Sequence, residues 1–190
     1  MEADMISIII PYYEREYSIT DLDRCIKSIK EQTHHDYEII VVQEGGAAHN
    51  LNEGVKRANG HIIITVGMDD YFTDKHALKT IVERFIGVWG VHGVSNNQEP
   101  RYTGDINLGN NKMGGISSII CRKDTWLPMD ETMVWLFDCD WHKDMYQKYG
   151  EPTIINGDFI IITEGEGQAT NSISEKVKLS EVLKMQKKYA

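Results

Sequence analysis

The chain has 190 residues, 41% of them hydrophobic and 26% charged, with a formal net charge of −9. That is length enough for one domain with a proper core, and both fractions are those of a globular protein. The acidic balance argues against long, non-specific contact with a nucleic-acid backbone and suits a small-molecule substrate.

Three cysteines, Cys25, Cys121 and Cys139, lie far apart and are odd in number. They suit free thiols in a reducing cytosol, so a cytoplasmic location is expected, and no CxxC pair suggests zinc. The N-terminus lacks the basic region and apolar stretch of a signal peptide. The longest apolar runs, about six residues, fall far short of the roughly 20 needed to span a bilayer. A soluble protein without a transmembrane segment is expected.

In chain order, Met5-Ile6-Ser7-Ile8-Ile9-Ile10 is a continuous apolar run stopped by Pro11, the pattern of a strand buried on both faces. Leu22, Ile26 and Ile29 then recur at helical spacing over 18–32. Tyr37–Val42 reads as a second buried strand, ended by Gln43-Glu44-Gly45-Gly46. Leu51, Val55 and Ala58 form a helical stripe that stops at Asn59-Gly60. A third strand covers 62–66, and a third helix 74–86 with Leu78, Ile81, Val82 and Phe85 on its apolar face. Three strand–helix alternations predict a parallel sheet with right-handed crossovers.

Beyond this, 88–94 reads as a strand, 95–111 as an Asn- and Gly-rich loop, and 114–121 as a Gly-led strand. An amphipathic helix is expected over 133–149, short strands over 153–155 and 159–163, and a Lys-rich terminal helix over 174–189.

In parallel sheets ligands sit outside the carboxyl ends of the strands. Here those ends are 11–14, 43–46 and 67–70, all polar or Gly-rich. At the third, Gly67-Met68-Asp69-Asp70 places two carboxylates after an apolar strand. They are suited to a divalent cation that neutralises phosphate oxygens, or to starting the next helix beside a Thr73 or Asp74 cap. In Phe137-Asp138-Cys139-Asp140, one acid can face a cleft as a general base, or both can lie on a solvated helix face. Gln43 to Gly46 is either a close backbone approach to a ligand or a tight turn. The chain contains no GxGxxG, GxxxxGK[ST], HExxH or GxSxG motif.

The order of these features resembles the inverting family 2 glycosyltransferases over roughly residues 5 to 170. The motifs that carry the resemblance begin with Ser7-Ile8-Ile9-Ile10-Pro11-Tyr12-Tyr13 and Cys25-Ile26-Lys27-Ser28-Ile29, with Gln32-Thr33 following. They continue through Tyr37–Val42, Asn52-Glu53-Gly54-Val55-Lys56-Arg57-Ala58-Asn59-Gly60 and the strand into Asp69-Asp70. Met129-Asp130-Glu131 and Phe137-Asp138-Cys139-Asp140 complete the series.

The resemblance implies an α/β, single-domain, Rossmann-like nucleotide-diphosphosugar transferase (GT-A) fold, with a mostly parallel central sheet flanked by helices. Residues 1–95 would be the nucleotide-sugar-binding half, 96–170 the acceptor and catalytic half, and 171–190 a C-terminal helix. It implies Asp138 as catalytic base and Asp69 as ligand of Mn2+ or Mg2+. Pro11, Tyr12, Glu14, Gln43, Glu44, Asp70 and Gly115 would bind the donor, a UDP-sugar first, with Gly114 and Gly115 near the acceptor or sugar and Gln168 near the diphosphate. The acceptor is not specified; nucleic acid is conceivable but disfavoured by the charge.

The chain also departs from the family pattern. Gln43-Glu44 stands where the family has two aspartates, Gly67 replaces the first acid of the Asp-x-Asp motif, and Phe137 replaces the acid before the base. Leu51 stands where an Arg is common, and no clear His occupies the C-terminal loop. The losses at Gly67, Leu51 and Phe137 suggest a second reading, a nucleotide-sugar-binding or partner-binding relative with weakened catalysis. A nucleotidyltransferase, which shares the sheet and acidic metal site, ranks last because 11–16 lacks its Gly-rich loop.

Overall fold

The structure, a computed structural model, describes residues 5–14, 18–106, 111–163 and 172–190. The chain opens with strand β1 (Ile6–Pro11), helix α1 (Ser18–Lys30), strand β2 (Tyr37–Val42), helix α2 (Ala47–Arg57) and strand β3 (Ile62–Thr65). A two-residue strand β4 (Tyr71–Phe72) precedes helix α3 (Ala77–Arg84) and strand β5 (Trp89–His92). Then follow β6 (Ile119–Arg122), α4 (Phe137–Tyr149), β7 (Thr153–Ile155), β8 (Ile160–Ile161) and the terminal helix α5 (Glu175–Lys188).

The main sheet has six strands in the order β2-β1-β3-β6-β5-β7. β1 pairs in parallel with β2 and β3, and β5 with β7, whereas β6 runs antiparallel to both neighbours. The expected α/β architecture with a mostly parallel sheet is therefore present. β1 explains its own composition. Ile6, Ile8 and Ile10 enter one buried cluster and Ile9 the other, on the far side of the sheet. A strand covered on both faces has no room for alternating polar residues, and each buried isoleucine contributes about 1.5–3 kcal/mol. Helix α2 crosses so close that a Cβ at Gly54 would lie 2.3 Å from Ile9 Cγ2, so glycine is required there.

Several expected elements are shorter: the helix expected over 74–86 is Ala77–Arg84, and the strand expected over 88–94 is Trp89–His92. The Gly-led strand of 114–121 shrinks to β6, because Ile116–Ser118 is a 3-10 turn before it. The helix expected from 133 starts only at Phe137, because the amides of Val134, Trp135 and Leu136 donate to the Glu181 carboxylate of α5. Among the described residues no helix is long and apolar enough to cross a membrane.

Candidate active site

A cleft of about 360 Å3 opens at the carboxyl ends of β1 and β3. It is lined by Pro11 and Tyr13, by the turn Gly67 to Asp70, which we call its floor, and by Gly115, Trp135 and Asp138. Strand ends deliver the first two groups; α4 with the loop before it delivers Trp135 and Asp138, and the turn before β6 delivers Gly115. Asp69 and Asp70 from the first half of the sequence thus meet Asp138 from the second in one concavity.

The floor is a tight turn in which the Asp70 amide donates to the Gly67 carbonyl at 3.0 Å. Ser117 Oγ accepts the Gly67 amide at 2.7 Å and donates to Asp70 Oδ2 at 2.5 Å. The Thr163 amide holds Asp70 Oδ1 at 2.9 Å. Thr163 is in place because β4 pairs with β8 two residues earlier, Tyr71 opposite Ile161. Asp70 is only 7% exposed. Burial pushes its carboxyl up to about 7, with the Asp69 charge adding to the rise and the Ser117 and Thr163 bonds opposing it.

Asp69 is the more accessible of the pair. Its backbone carbonyl accepts Arg24 Nη2 at 2.8 Å and Thr163 Oγ1 at 2.5 Å, which fixes the turn from behind. The start of the next helix is held by Asp74, the cap expected there, whose Oδ1 accepts the His76 amide at 2.6 Å. Gly67 is built into the arrangement as well. A Cβ there would sit 2.8 Å from Asp70 Oδ2 and 3.1 Å from Ser117 Oγ, so an acid at 67 would displace the Ser117–Asp70 pair.

Asp138 occupies the first turn of α4. Its Oδ1 accepts the Cys139 amide at 2.8 Å and its Oδ2 accepts Asn111 Nδ2 at 3.2 Å. Burial raises the carboxyl to about 6, against the lowering effect of the Cys139 and Asn111 bonds. A Cβ on Gly115 would lie 3.9 Å from Asp138 Oδ2, so the glycine keeps the approach to the carboxylate low. Asp140, the other acid of the motif, is 2% exposed and bound by Lys188 Nζ at 2.8 Å and the Tyr189 hydroxyl at 2.8 Å. It fastens α5 to α4.

The remaining predicted residues lie elsewhere. Tyr12 is 6% exposed in the core, its hydroxyl 2.9 Å from Ser18 Oγ, and Tyr13 takes the cleft position beside Pro11. Glu14 and Gln43 are exposed outside the cleft lining, and Glu44 pairs with Arg57 at 2.5 Å. Gln168 lies outside the described residues. Sequence reasoning missed Ser117, Thr163 and Asn111. It also missed Asn50, 1% exposed, whose Oδ1 accepts the Glu44 and Gly45 amides, each at 2.9 Å. Its Nδ2 donates to the carbonyls of Tyr12 at 3.1 Å and Gly45 at 3.0 Å, locking the ends of β1 and β2 together. A polar residue buried in the first turn of α2, just after the Gly45-Gly46 loop, was the available signal for Asn50; Ser117 and Thr163 offered none.

Manganese or magnesium is the ion that the resemblance implies. Among the described residues no group of three or more His, Cys, Asp or Glu is arranged to hold a metal. A hard cation that keeps its waters and shares phosphate oxygens needs only one or two protein carboxylates, and Asp69 fits that sparse demand.

Residues 7–45 match the family described as Glycosyl transferase family 2. Among solved structures, S. aureus TarS 1-349 in complex with UDP-GlcNAc matches with a TM-score of 0.67 at 19% identity, over 94% of this chain and 66% of that one. S. aureus TarS in its longer form matches at 0.61 and 15% identity, over 96% of this chain and 43% of that one. The mannosyltransferase PcManGT from Pyrobaculum calidifontis, in complex with GDP-Man and Mn2+, matches at 0.66 and 11% identity, over 89% and 59%. The chain thus spans less than two thirds of the length of these three neighbours. No curated protein matches. The fold is the GT-A fold of glycosyltransferases. Within that class the chain resembles family 2, in sequence over its first strands and first helix and in fold over nearly its whole described length.

Proposed function

We propose that this protein transfers a sugar from a nucleotide-diphosphate donor to an acceptor hydroxyl, with inversion at the anomeric carbon. The observation that carries this reading is that the Asp69–Asp70 turn and Asp138 line one cleft at the carboxyl ends of parallel strands. Pro11 and Tyr13 take the nucleoside side, and Asp69 takes the diphosphate side. When bound there, Mn2+ or Mg2+ supplies positive charge to the diphosphate oxygens as the leaving group gains charge.

Charge argues for that ion. Among the described residues the cleft is lined by three aspartates and by no lysine, arginine or histidine. A diphosphate entering such a site meets repulsion unless a cation accompanies it. On the other side Asp138 accepts the proton of the acceptor hydroxyl as its oxygen attacks the anomeric carbon from the face opposite the diphosphate. One displacement with one base inverts the centre. UDP and GDP sugars are the donors to try first, because the neighbours were captured with UDP-GlcNAc and GDP-Man.

A thermal-shift screen of nucleoside diphosphates with and without Mn2+ tests the donor site. A ligand at about 100 times its Kd adds about 2.7 kcal/mol to stability. A shift with UDP or GDP that requires Mn2+ is expected; no shift with any nucleoside diphosphate sinks the reading. Gly67 favours a second reading, a donor-binding relative that does not turn over. Donor binding without release of nucleoside diphosphate from any nucleotide sugar would select it.

A further inference from the structure

Helix α5 carries a carboxylate on its inner face. Glu181 is 6% exposed and Met185, one turn later, is fully buried, while Leu179 and Leu183 face outward. A carboxylate so placed is costly unless hydrogen bonds replace its water. Here three do. Oε1 accepts the Val134 amide at 2.7 Å, and Oε2 accepts those of Trp135 at 3.0 Å and Leu136 at 2.8 Å.

Three consecutive amides turned on one anion form a nest, and such a nest fixes the backbone that makes it. This backbone is the approach to α4. Leu136 is the N-cap of that helix and has no side chain able to cap it. Val134 and Trp135 line the cleft, and Asp138 lies two residues beyond the nest. The same helix grips both flanks of the segment. Lys184 pairs with Asp130 at 2.6 Å ahead of it, and Lys188 with Asp140 at 2.8 Å behind it.

We infer that Glu181 is a positioning residue: reaching across from α5, it sets the backbone from which Asp138 enters the cleft. The inference rests on the glycosyl-transfer reading, in which Asp138 must lie within hydrogen-bond reach of the acceptor hydroxyl. A displacement of about 1 Å at such a group costs on the order of 100-fold in rate. Glu181 touches neither donor nor acceptor. It acts through the direction of the loop and of the first turn of α4.

The test uses the full chain and Glu181→Gln. The amide keeps the shape but has one oxygen for three donors, and it turns an NH2 toward one of them. Three readouts are compared with wild type: amide hydrogen exchange at 134–136, the Mn2+-dependent thermal shift with UDP or GDP, and kcat for transfer or donor hydrolysis. The expected result is exchange at those three amides at least about tenfold faster, an unchanged nucleotide-induced shift, and kcat lower by about 10- to 100-fold. Glu181→Asp, which keeps the charge but withdraws it by one methylene, should fall between the two, and it carries the same test if E181Q does not fold.

Wild-type kcat in a folded variant, unchanged exchange at 134–136, or a loss confined to nucleotide affinity would each overturn the inference while leaving the reading intact. A wild-type protein that binds no nucleoside diphosphate overturns the reading, and the inference with it.

Discussion

Ser117 and Asp70, 47 positions apart in sequence, share a 2.5 Å hydrogen bond under the floor of the cleft. The bond occupies the space that an acidic side chain at 67 would need, since a Cβ there meets both partners at 2.8 Å and 3.1 Å. The missing first acid of the motif is thus coupled to a serine on another element.

Restoring that acid should therefore harm the protein. Gly67→Asp is expected to lower stability by about 1–3 kcal/mol, the usual cost of overpacking, and to bring no gain in Mn2+ affinity. Urea unfolding and calorimetric titration of Mn2+ with nucleoside diphosphate measure the two effects. Wild-type stability together with tighter metal binding would show that the site has room for the acid after all.

The pH dependence of turnover follows from Asp138. A base must be ionised to accept a proton, and burial raises this carboxyl to about 6. The rate should rise with pH through about 6 and level off above it. Asn111→Ala removes a bond that lowers the value, so its acid limb should move to higher pH. A kcat profile that stays flat down to pH 5 would remove Asp138 from the role of base.

His142 offers a stability test independent of catalysis. It is fully buried against Trp89 and Trp141, and among the described residues neither ring nitrogen has a hydrogen-bond partner. Burial lowers its pKa from 6.5 to about 3, so between those values the unfolded chain binds a proton that the folded one refuses. Its contribution to stability is full above pH 6.5 and is lost as the pH falls. His142→Phe should stabilise the protein relative to wild type, and the gain should grow by about 1.4 kcal/mol for each pH unit below 6. Chemical denaturation from pH 5 to 7 reads this directly, and a gain independent of pH would contradict it.

The carboxylates of the cleft work in the opposite sense. Asp70 and Asp138 are raised to about 7 and about 6, so the folded chain holds protons that the unfolded chain releases from about pH 4 upward. Their contribution declines as the pH rises toward 7. A folded state that disfavours its own charges here is suited to receiving a cation.

Much of the fold was legible because it is written locally. The isoleucines of β1 announce a strand covered on both faces, and the spacing of Leu51 and Val55 announces α2. The acids of the cleft were legible for the same reason, each ending a strand or opening a helix. What escaped depends on distant pairs. β4 is two residues long and exists only through β8, yet that pairing brings Thr163 to Asp70. The late start of α4 depends on Glu181, 45 positions away from Leu136. Tyr12 and Tyr13 are chemically alike, and which one faces the cleft is decided by the end of β1 and by Ser18, not by composition.

The central claim is that Asp138 is the base of a sugar transfer, and Asp138→Asn tests it most directly. Release of nucleoside diphosphate from a nucleotide sugar with Mn2+ and acceptor is measured beside the nucleotide-induced thermal shift of the same variant. A folded variant with the wild-type shift and turnover lower by about 10²- to 10⁴-fold is the predicted result. Full turnover by that variant would contradict it.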